Sequence, residues 1–259
     1  MTSIDTFPHR LDRTLLISAD TDVVFRFFTD SARWAIWWGA GSTIDARPGG
    51  RLLIRFPNGI EVSGRVIEVA APRRIVFSYG YENGVPIPAE GSRVTIRLEE
   101  DGASTRLHLT HEFADASARD EHIQGWRYQL SVFGNVVADE VFAAVADVVD
   151  AWLGAWFDPD ASNRTAVLSR LATTDVRVRD RFSAIEGLTD LLAHLDASQR
   201  FMPGLRLERE GAVRQCQGTV LADWVLRARD RAERARGTTV FVFGATGGRV
   251  ESVTGFWNS

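Results

Sequence analysis

The sequence predicts an α+β protein of two small domains joined end to end, residues 1–139 and 140–259, each enclosing an apolar pocket. The length of 259 residues suits two ordinary domains. In the first part, strand-like alternation of apolar residues precedes a long stripe with helical spacing, whereas in the second part helical stripes come before the strands. No Pro-rich, Ser-rich or Gly-rich linker separates the two parts.

The composition excludes several classes of function. Apolar residues make up 45% of the chain and charged residues 25%, which is ordinary for a folded globular protein. All 30 basic residues are arginine, so no lysine is present for Schiff-base chemistry or for a phosphate-binding loop. With a net charge of −4 and both signs spread along the chain, the sequence predicts no nucleic-acid partner.

Metal, redox and membrane roles are also not expected. The single cysteine, Cys216, cannot form an internal disulfide, and a structural zinc site needs about four ligands. We therefore expect no metal and no cofactor. The chain has no apolar run of membrane-spanning length, and its start lacks the apolar run of a secretory signal, so we expect a cytoplasmic protein without a membrane partner.

The first part predicts two short helices, a meander of strands and a long helix. Residues 14–17 form a short apolar strand, and Asp20 and Thr21 are candidate caps of the helix that follows. A second short helix, SARWAIWW, ends at Gly39. Apolar residues then alternate in five predicted strands, at 52–56, 62–69, 75–81, 94–98 and 107–113. After Ser117, a stripe at spacings of three and four predicts a long helix through Trp126, Leu130, Phe133 and Val137.

The second part continues that stripe and ends in strands. The helical spacing runs without a break through Val145 and Trp152 to Trp156. A further helix at 163–171, capped by Ser162, precedes a short strand at 175–180. The apolar residues from Ile185 to Leu195 predict another helix. The remaining predicted strands are 205–213, 215–226, 237–243 and 250–256.

Specific stretches of the first part carry a family resemblance. They are VFRFFTD, the pair Trp37-Trp38, Pro48-Gly49-Gly50, GRVIEV at 64–69, VTIRLEE and Gly125-Trp126. On these residues, the segment 10–139 resembles the START-like helix-grip (SRPBCC) superfamily, in the branch of the activator of heat-shock protein 90 ATPase homologues. The resemblance implies a curved sheet around a long helix with an apolar cavity between them.

The second part, residues 141–259, resembles SnoaL-like members of the nuclear transport factor 2-like fold. The resemblance depends on Ala151-Trp152-Leu153, the strand ending VRVRD, Gly187 before an apolar helix, and Gly248-Arg249-Val250 before Phe256. It implies a cone-shaped α+β barrel with a cavity that binds small ligands. The family includes polyketide cyclases and ketosteroid isomerases, and its open sheet face implies a possible homodimer.

Asp180 is the candidate catalytic residue. It shares the period-two face of Val176 and Val178, so it should point inward at the mouth of the second cavity, where a carboxylate suits a general base. By resemblance, the position matches the base of the isomerases. The positions of their oxyanion donors hold Trp152 and Val240 here, and valine has no donor. The alternative is that Asp180 caps the following turn or pairs with a neighbouring arginine.

Two histidines need an interpretation. Alternation with Leu107 and Leu109 places His111 on the inward face of its strand, where it either contacts a ligand or is a hydrogen-bonded histidine at the edge of the core. His194 lies on the flank of its helical stripe, and we interpret it as a surface residue.

Aromatic side chains are the candidate cavity walls. Core packing is the alternative explanation for most of them, although such walls suit a flat apolar ligand. The candidates are Trp37, Trp38, Tyr79 and Tyr81 in the first cavity and Trp152, Trp156, Trp224 and Phe241 in the second.

The segment 227–237, RARDRAERARG, concentrates arginine. It is either an anion site or a solvated hairpin tip whose charges pair with Asp230 and Glu233, and the tip is the commoner outcome.

The leading functional hypothesis is binding of a small hydrophobic molecule in one or both cavities, without a complete catalytic set. The first alternative is an enzyme of the polyketide cyclase or isomerase type with Asp180 as general base. The second is a chaperone-associated interaction, which is suggested only by the first family's name.

Overall fold

The computed structural model describes residues 7–244 and 248–258 and consists of two compact units. The first unit ends at Ala138 and the second begins at Asp139, whereas the sequence places the boundary one residue later. Both units combine helices with a large, mainly antiparallel sheet, so the α+β class is confirmed. No helix in the described ranges has both the length and the apolar character needed to cross a bilayer.

The first unit is a seven-stranded antiparallel sheet with helices. Its strands are β1 (His9–Ile17), β2 (Thr43–Ile44), β3 (Arg51–Arg55), β4 (Glu61–Ala70), β5 (Arg74–Tyr81), β6 (Ser92–Asp101) and β7 (Ser104–Phe113). Its helices are α1 (Thr21–Arg26), α2 (Ser31–Trp38) and α3 (Ala116–Val141), of which the last three residues belong to the second unit. The strand order is β1-β7-β6-β5-β4-β3-β2. Strands β2 to β7 form a meander, and the last strand, β7, also pairs with β1.

The apolar alternation in the sequence accounts for the inner face of this sheet. In β7, Leu107, Leu109 and His111 are buried, while the residues between them are half-exposed. The stripe of α3 supplies Trp126 and Phe133 to the same core. The indole of Trp126 donates a hydrogen bond to His111, so this face of the helix lies directly on the sheet.

The predicted unbroken helix past residue 139 is wrong. Helix α3 ends at Val141, residues 142–144 form a turn, and helix α4 (Val145–Trp156) then begins. The break lets Phe142 turn inward, where it is 3% exposed and packs 5.8 Å from Phe243. Periodicity does not reveal the break, because Val141 and Val145 keep the helical spacing of four across it.

The second unit is a six-stranded sheet with three helices. Besides α4, the helices are α5 (Ala161–Leu171) and α6 (Leu188–Phe201). The strands are β8 (Ala172–Arg179), β9 (Ala184–Glu186), β10 (Arg206–Cys216), β11 (Thr219–Arg227), β12 (Glu233–Phe243) and β13 (Val250–Trp257). Their order is β10-β11-β12-β13-β8-β9, in which β13 and β8 are parallel and the other pairs antiparallel. Within the described residues, β10 and β9 are free edges, so this sheet is open and not a closed barrel.

Local details of the second unit differ from the sequence prediction. Ile185 belongs to the short strand β9, where it pairs with Val178, and helix α6 begins only at Leu188. Gly187, with φ of 92°, makes the change of direction between them, because that backbone conformation favours glycine.

The cap of α5 also differs from the prediction. It is Asp160 and not Ser162, since the Asp160 carboxylate accepts from the backbone N–H of Ser162 at 2.8 Å.

Candidate functional site

The second unit holds a cavity of about 520 Å³, a volume typical of small-molecule sites. Residues from α4 and α6 form one side, and residues from β8, β10, β11, β12 and β13 form the other. Most of the lining side chains are apolar, and four of them are Trp152, Trp156, Trp224 and Trp257. The wall therefore offers several flat aromatic faces to a ligand.

The helical side of the cavity begins with Trp152 on α4, which is only 1% exposed. Its ring lies 6.0 Å from Phe241 in an edge-to-face arrangement and 6.4 Å from Trp156, one helical turn further on. Phe241 is fully buried behind Trp152 and does not line the cavity. It acts as support for the wall, which corrects the direct ligand contact expected from the sequence.

On the sheet side, the Trp224 side chain on β11 packs over the neighbouring strand β12. It is in register with Gly237, and a Cβ built on that glycine would stand 2.3 Å from the indole ring. The indole N–H donates to Thr239 Oγ1 at 2.9 Å, and Trp257 packs against the ring edge-to-face at 5.0 Å. The lack of a side chain at Gly237 thus makes room for Trp224 in the wall.

Asp180 lies in the cavity wall, directly after β8, as the sequence predicts. Its Oδ1 accepts from the backbone N–H groups of Phe182 and Ser183, both at 2.7 Å, and from Ser183 Oγ at 2.8 Å. Its Oδ2 accepts from Trp257 Nε1 at 3.3 Å. The bonds to Oδ1 form the turn-capping arrangement named as the alternative to catalysis, whereas Oδ2 accepts the indole N–H.

Asp180→Ala is expected to lower the free energy of unfolding of the second unit by about 1–2 kcal/mol, because the turn at Phe182 and Ser183 loses its acceptor. Asp180→Asn keeps one side-chain oxygen and should cost less. Urea unfolding of the three proteins measures both effects. Equal stability of all three would contradict the capping role.

The sequence interpretation missed His194. It was placed on the surface, but in the structure it lines the cavity, with its ring centroid 6.3 Å from that of Trp156. The evidence was present in the spacing, since Leu191, His194, Leu195 and Ser198 stand at i, i+3, i+4 and i+7 along α6. Neither ring nitrogen of His194 hydrogen-bonds to another residue of the described chain.

Two further wall residues were missed. Trp257, at the end of β13, comes beside Trp224 because β13 pairs with β12. Arg234 comes from the arginine-rich segment at 227–237. Only residues 228–232 of that segment form the turn, and β12 begins at Glu233, so Arg234 lies on the strand and lines the cavity. Val240, at the expected position of an oxyanion donor, does not line the cavity.

The first unit holds a small recess of about 100 Å³. Three of the four predicted aromatic residues, Trp38, Tyr79 and Tyr81, line it. Its volume is well below the roughly 300 Å³ at which small-molecule pockets begin. It therefore holds a few water molecules more readily than a ring system.

Trp37, the fourth aromatic candidate, is a core residue. Its indole N–H donates to the Phe27 carbonyl at 3.2 Å, and its ring packs edge-to-face against Trp34 and Phe133. It does not line the recess. Packing explains this residue fully, so the ligand contact expected of it is not supported.

His111 is a fully buried, hydrogen-bonded histidine. Trp126 Nε1 can only donate, so His111 Nδ1, at 2.9 Å, is the acceptor. His111 Nε2 therefore carries the hydrogen and donates to Ser92 Oγ at 2.8 Å, while Ser92 Oγ donates to the Tyr79 carbonyl at 2.7 Å. Both ring nitrogens are occupied, which corrects the ligand contact considered for this residue in favour of the core alternative.

A second histidine completes this cluster. His122 Nδ1 donates to the Ala118 carbonyl at 2.6 Å, and its Nε2 accepts from the Tyr81 hydroxyl at 3.1 Å. Burial, with a smaller contribution from His122, holds the pKa of His111 well below its usual range. Burial also lowers the pKa of His122. Both histidines are consequently neutral in the folded unit.

Comparison with known proteins adds a family match for the first unit. Residues 18–138 match the family described as activator of Hsp90 ATPase homolog 1-like protein. Among curated proteins, none matches this chain significantly.

Several solved structures are similar to parts of the chain. A SnoaL-like family protein from Agrobacterium tumefaciens is 24% identical over 44% of this chain and 97% of its own, with a TM-score of 0.42. CalU16 from Micromonospora echinospora is 29% identical over 52% of this chain and 82% of its own, with a TM-score of 0.43. The Aha1 dimer from Colwellia psychrerythraea is 16% identical over 47% of this chain and 90% of its own, with a TM-score of 0.41.

Proposed function

We propose that this protein reversibly binds a flat, largely apolar small molecule in the cavity of the second unit. The observation that carries the proposal is the apolar volume of about 520 Å³ with four tryptophans in its wall. The tryptophan rings of such a wall pack against a bound ring system and exclude water from it. The recess of the first unit is too small for the same ligand.

The expected affinity follows from the area that such a ligand buries. Burial of roughly 250 Å² of apolar surface contributes about 6 kcal/mol. Aromatic edge-to-face contacts add about 1 kcal/mol each, and lost translational freedom offsets part of the sum. A Kd on the order of tens of micromolar or weaker results.

The family resemblances support this proposal. The match of residues 18–138 supports residues 1–139 as a START-like domain. The order of helices before strands and the Trp-lined cavity support residues 140–259 as a SnoaL-like domain. A homodimer through the second unit stays a prediction, which light scattering would check.

Catalysis by Asp180 also stays a prediction. Its place in the cavity wall favours it, while three of the four hydrogen bonds that its carboxylate accepts belong to the turn at Phe182 and Ser183. If a cyclase or isomerase activity is found, Asp180→Asn should abolish turnover and leave binding intact. Full turnover by that variant would exclude the role.

The binding proposal is tested by isothermal titration calorimetry with bicyclic and tricyclic aromatic compounds. Ser198 is buried in the wall on α6, so Ser198→Phe should fill the cavity and weaken binding at least about tenfold, or 1.4 kcal/mol. Ala193→Phe adds the same side chain on the exposed face of the same helix and should leave Kd unchanged. If no compound of the panel binds at about 1 mM, or if both variants bind like the wild type, the proposal is wrong.

A further inference from the structure

The hydrogen-bonding groups of the cavity wall fall into two sets, those already occupied and those left free. Most of the oxygen-bearing side chains belong to the occupied set. Ser183 Oγ donates to Asp180, and Ser198 Oγ donates to the His194 carbonyl at 3.0 Å. Thr239 Oγ1 accepts from Trp224, and the Asp180 carboxylate accepts four donors. The hydroxyl hydrogens of both serines are thus already used within the protein.

The free set consists mainly of donors. Trp152 Nε1 and Trp156 Nε1 can only donate, and neither hydrogen-bonds to another residue in the described ranges. The imidazole of His194 is likewise free there and can donate from one nitrogen. The guanidinium of Arg234 adds five N–H donors and a positive charge. A ligand that satisfies this wall must therefore supply acceptor oxygens.

Arg234 differs from the other arginines near the cavity. Arg179 lies 3.8 Å from Glu186, and Arg181 stacks 5.1 Å above the Phe182 ring. Next to Arg234 on β12, Arg236 pairs with both Glu233 and Glu210. Arg234 itself has no acidic partner within residues 7–244 and 248–258, although it borders an apolar cavity.

Arg234 and Asp180 both border the cavity, but they lie at separate places along its wall. Asp180 lies beside Gly255, which is in register with Thr239 on β12. Arg234 precedes Thr239 by five residues, or about 17 Å along the strand. Gly237, opposite Trp224, lies between them, at about 10 Å from Arg234. An anion at Arg234 is thus remote from the Asp180 carboxylate and close to the aromatic wall.

On the basis of the proposed function, we propose that the ligand is an aromatic acid, whose ring system lies among the tryptophans and whose carboxylate binds Arg234. A guanidinium binds a carboxylate through two parallel N–H···O hydrogen bonds, and Arg234 is exposed beside the cavity, where a ligand carboxylate can reach it. The unpaired arginine thus sets both the orientation and the charge of the ligand.

The test compares 2-naphthoate with 2-naphthamide, which share the ring system and differ in charge. Calorimetry on the full chain at pH 7.5 should show the carboxylate binding at least about tenfold more tightly than the amide. Arg234→Gln should abolish that preference and leave Kd for the amide unchanged, which also shows that the cavity is intact. Arg229→Gln, an exposed arginine of the same hairpin outside the cavity, should keep the preference.

The outcomes separate this inference from the proposed function. If acid and amide bind the wild type equally, or if Arg234→Gln retains the preference, the acid assignment is overturned while apolar binding stands. If neither compound binds any of the proteins and the aromatic panel also fails, both proposals are overturned. Binding of the panel without either naphthyl compound overturns the acid assignment alone.

Discussion

Gly237→Ala is expected to lower the free energy of unfolding of the second unit by about 3 kcal/mol and to abolish ligand binding. The added methyl carbon would lie 2.3 Å from the Trp224 ring and 2.3 Å from the Phe256 carbonyl oxygen. The carbonyl belongs to the β13 backbone and cannot withdraw. The indole is held by Thr239 and Trp257, so it can move only by breaking a hydrogen bond and an aromatic contact.

Urea unfolding and calorimetric titration measure the two effects of Gly237→Ala. Gly154→Ala is the matched control, since Gly154 lies on the exposed face of helix α4 and a methyl carbon added there would meet no atom within 4 Å. That change should stabilise the helix by up to about 1 kcal/mol, because alanine favours helix over glycine. A Gly237→Ala protein as stable as the Gly154→Ala protein would show that Trp224 adjusts freely.

The first unit is expected to lose stability as the pH falls below about 6.5, the pKa of an unperturbed histidine. Burial holds the pKa of both His111 and His122 below that value, so the unfolded chain binds protons that the folded unit does not. The stabilisation is therefore complete above about pH 6.5 and decreases toward the folded-state pKa values. Each histidine lowers the free energy of unfolding by up to about 1.4 kcal/mol per pH unit. The two together lower it by up to about 2.7 kcal/mol per pH unit.

Denaturant unfolding at pH 7.5, 6.5 and 5.5, followed by the amide NMR signals of the first unit, measures this dependence. In His122→Gln one of the two titrating groups is gone, so the slope below pH 6.5 should fall by about half. A stability of the first unit that stays constant down to pH 5.5 would be incompatible with two buried neutral histidines.

Much of the fold follows from local patterns in the sequence. The alternation that predicts a strand at 107–113 corresponds to β7, because one face of that strand is buried. The strand predicted at 75–81 corresponds to β5, which is buried on both faces. The stripe through Trp126 and Phe133 corresponds to α3, because one face of that helix is buried. What the pattern does not contain is long-range pairing. The parallel pair β13–β8 joins chain segments that are far apart in sequence.

The candidate site was predictable to a similar degree. Trp152, Trp156 and Trp224 lie in the cavity wall because they occupy the apolar faces of their elements. Arg234 and Trp257 could not be placed, since their positions depend on where β12 begins and on the order of strands in the sheet. The capping role of Asp180 was one of two alternatives, and only the turn geometry distinguishes them.

The distribution of the eight tryptophans makes the cavity observable without any label. Four of them line it, and the other four, Trp34, Trp37, Trp38 and Trp126, belong to the first unit. A bound ring system in contact with the four cavity tryptophans would change their fluorescence. Ligand occupancy can therefore be followed through the protein's own emission.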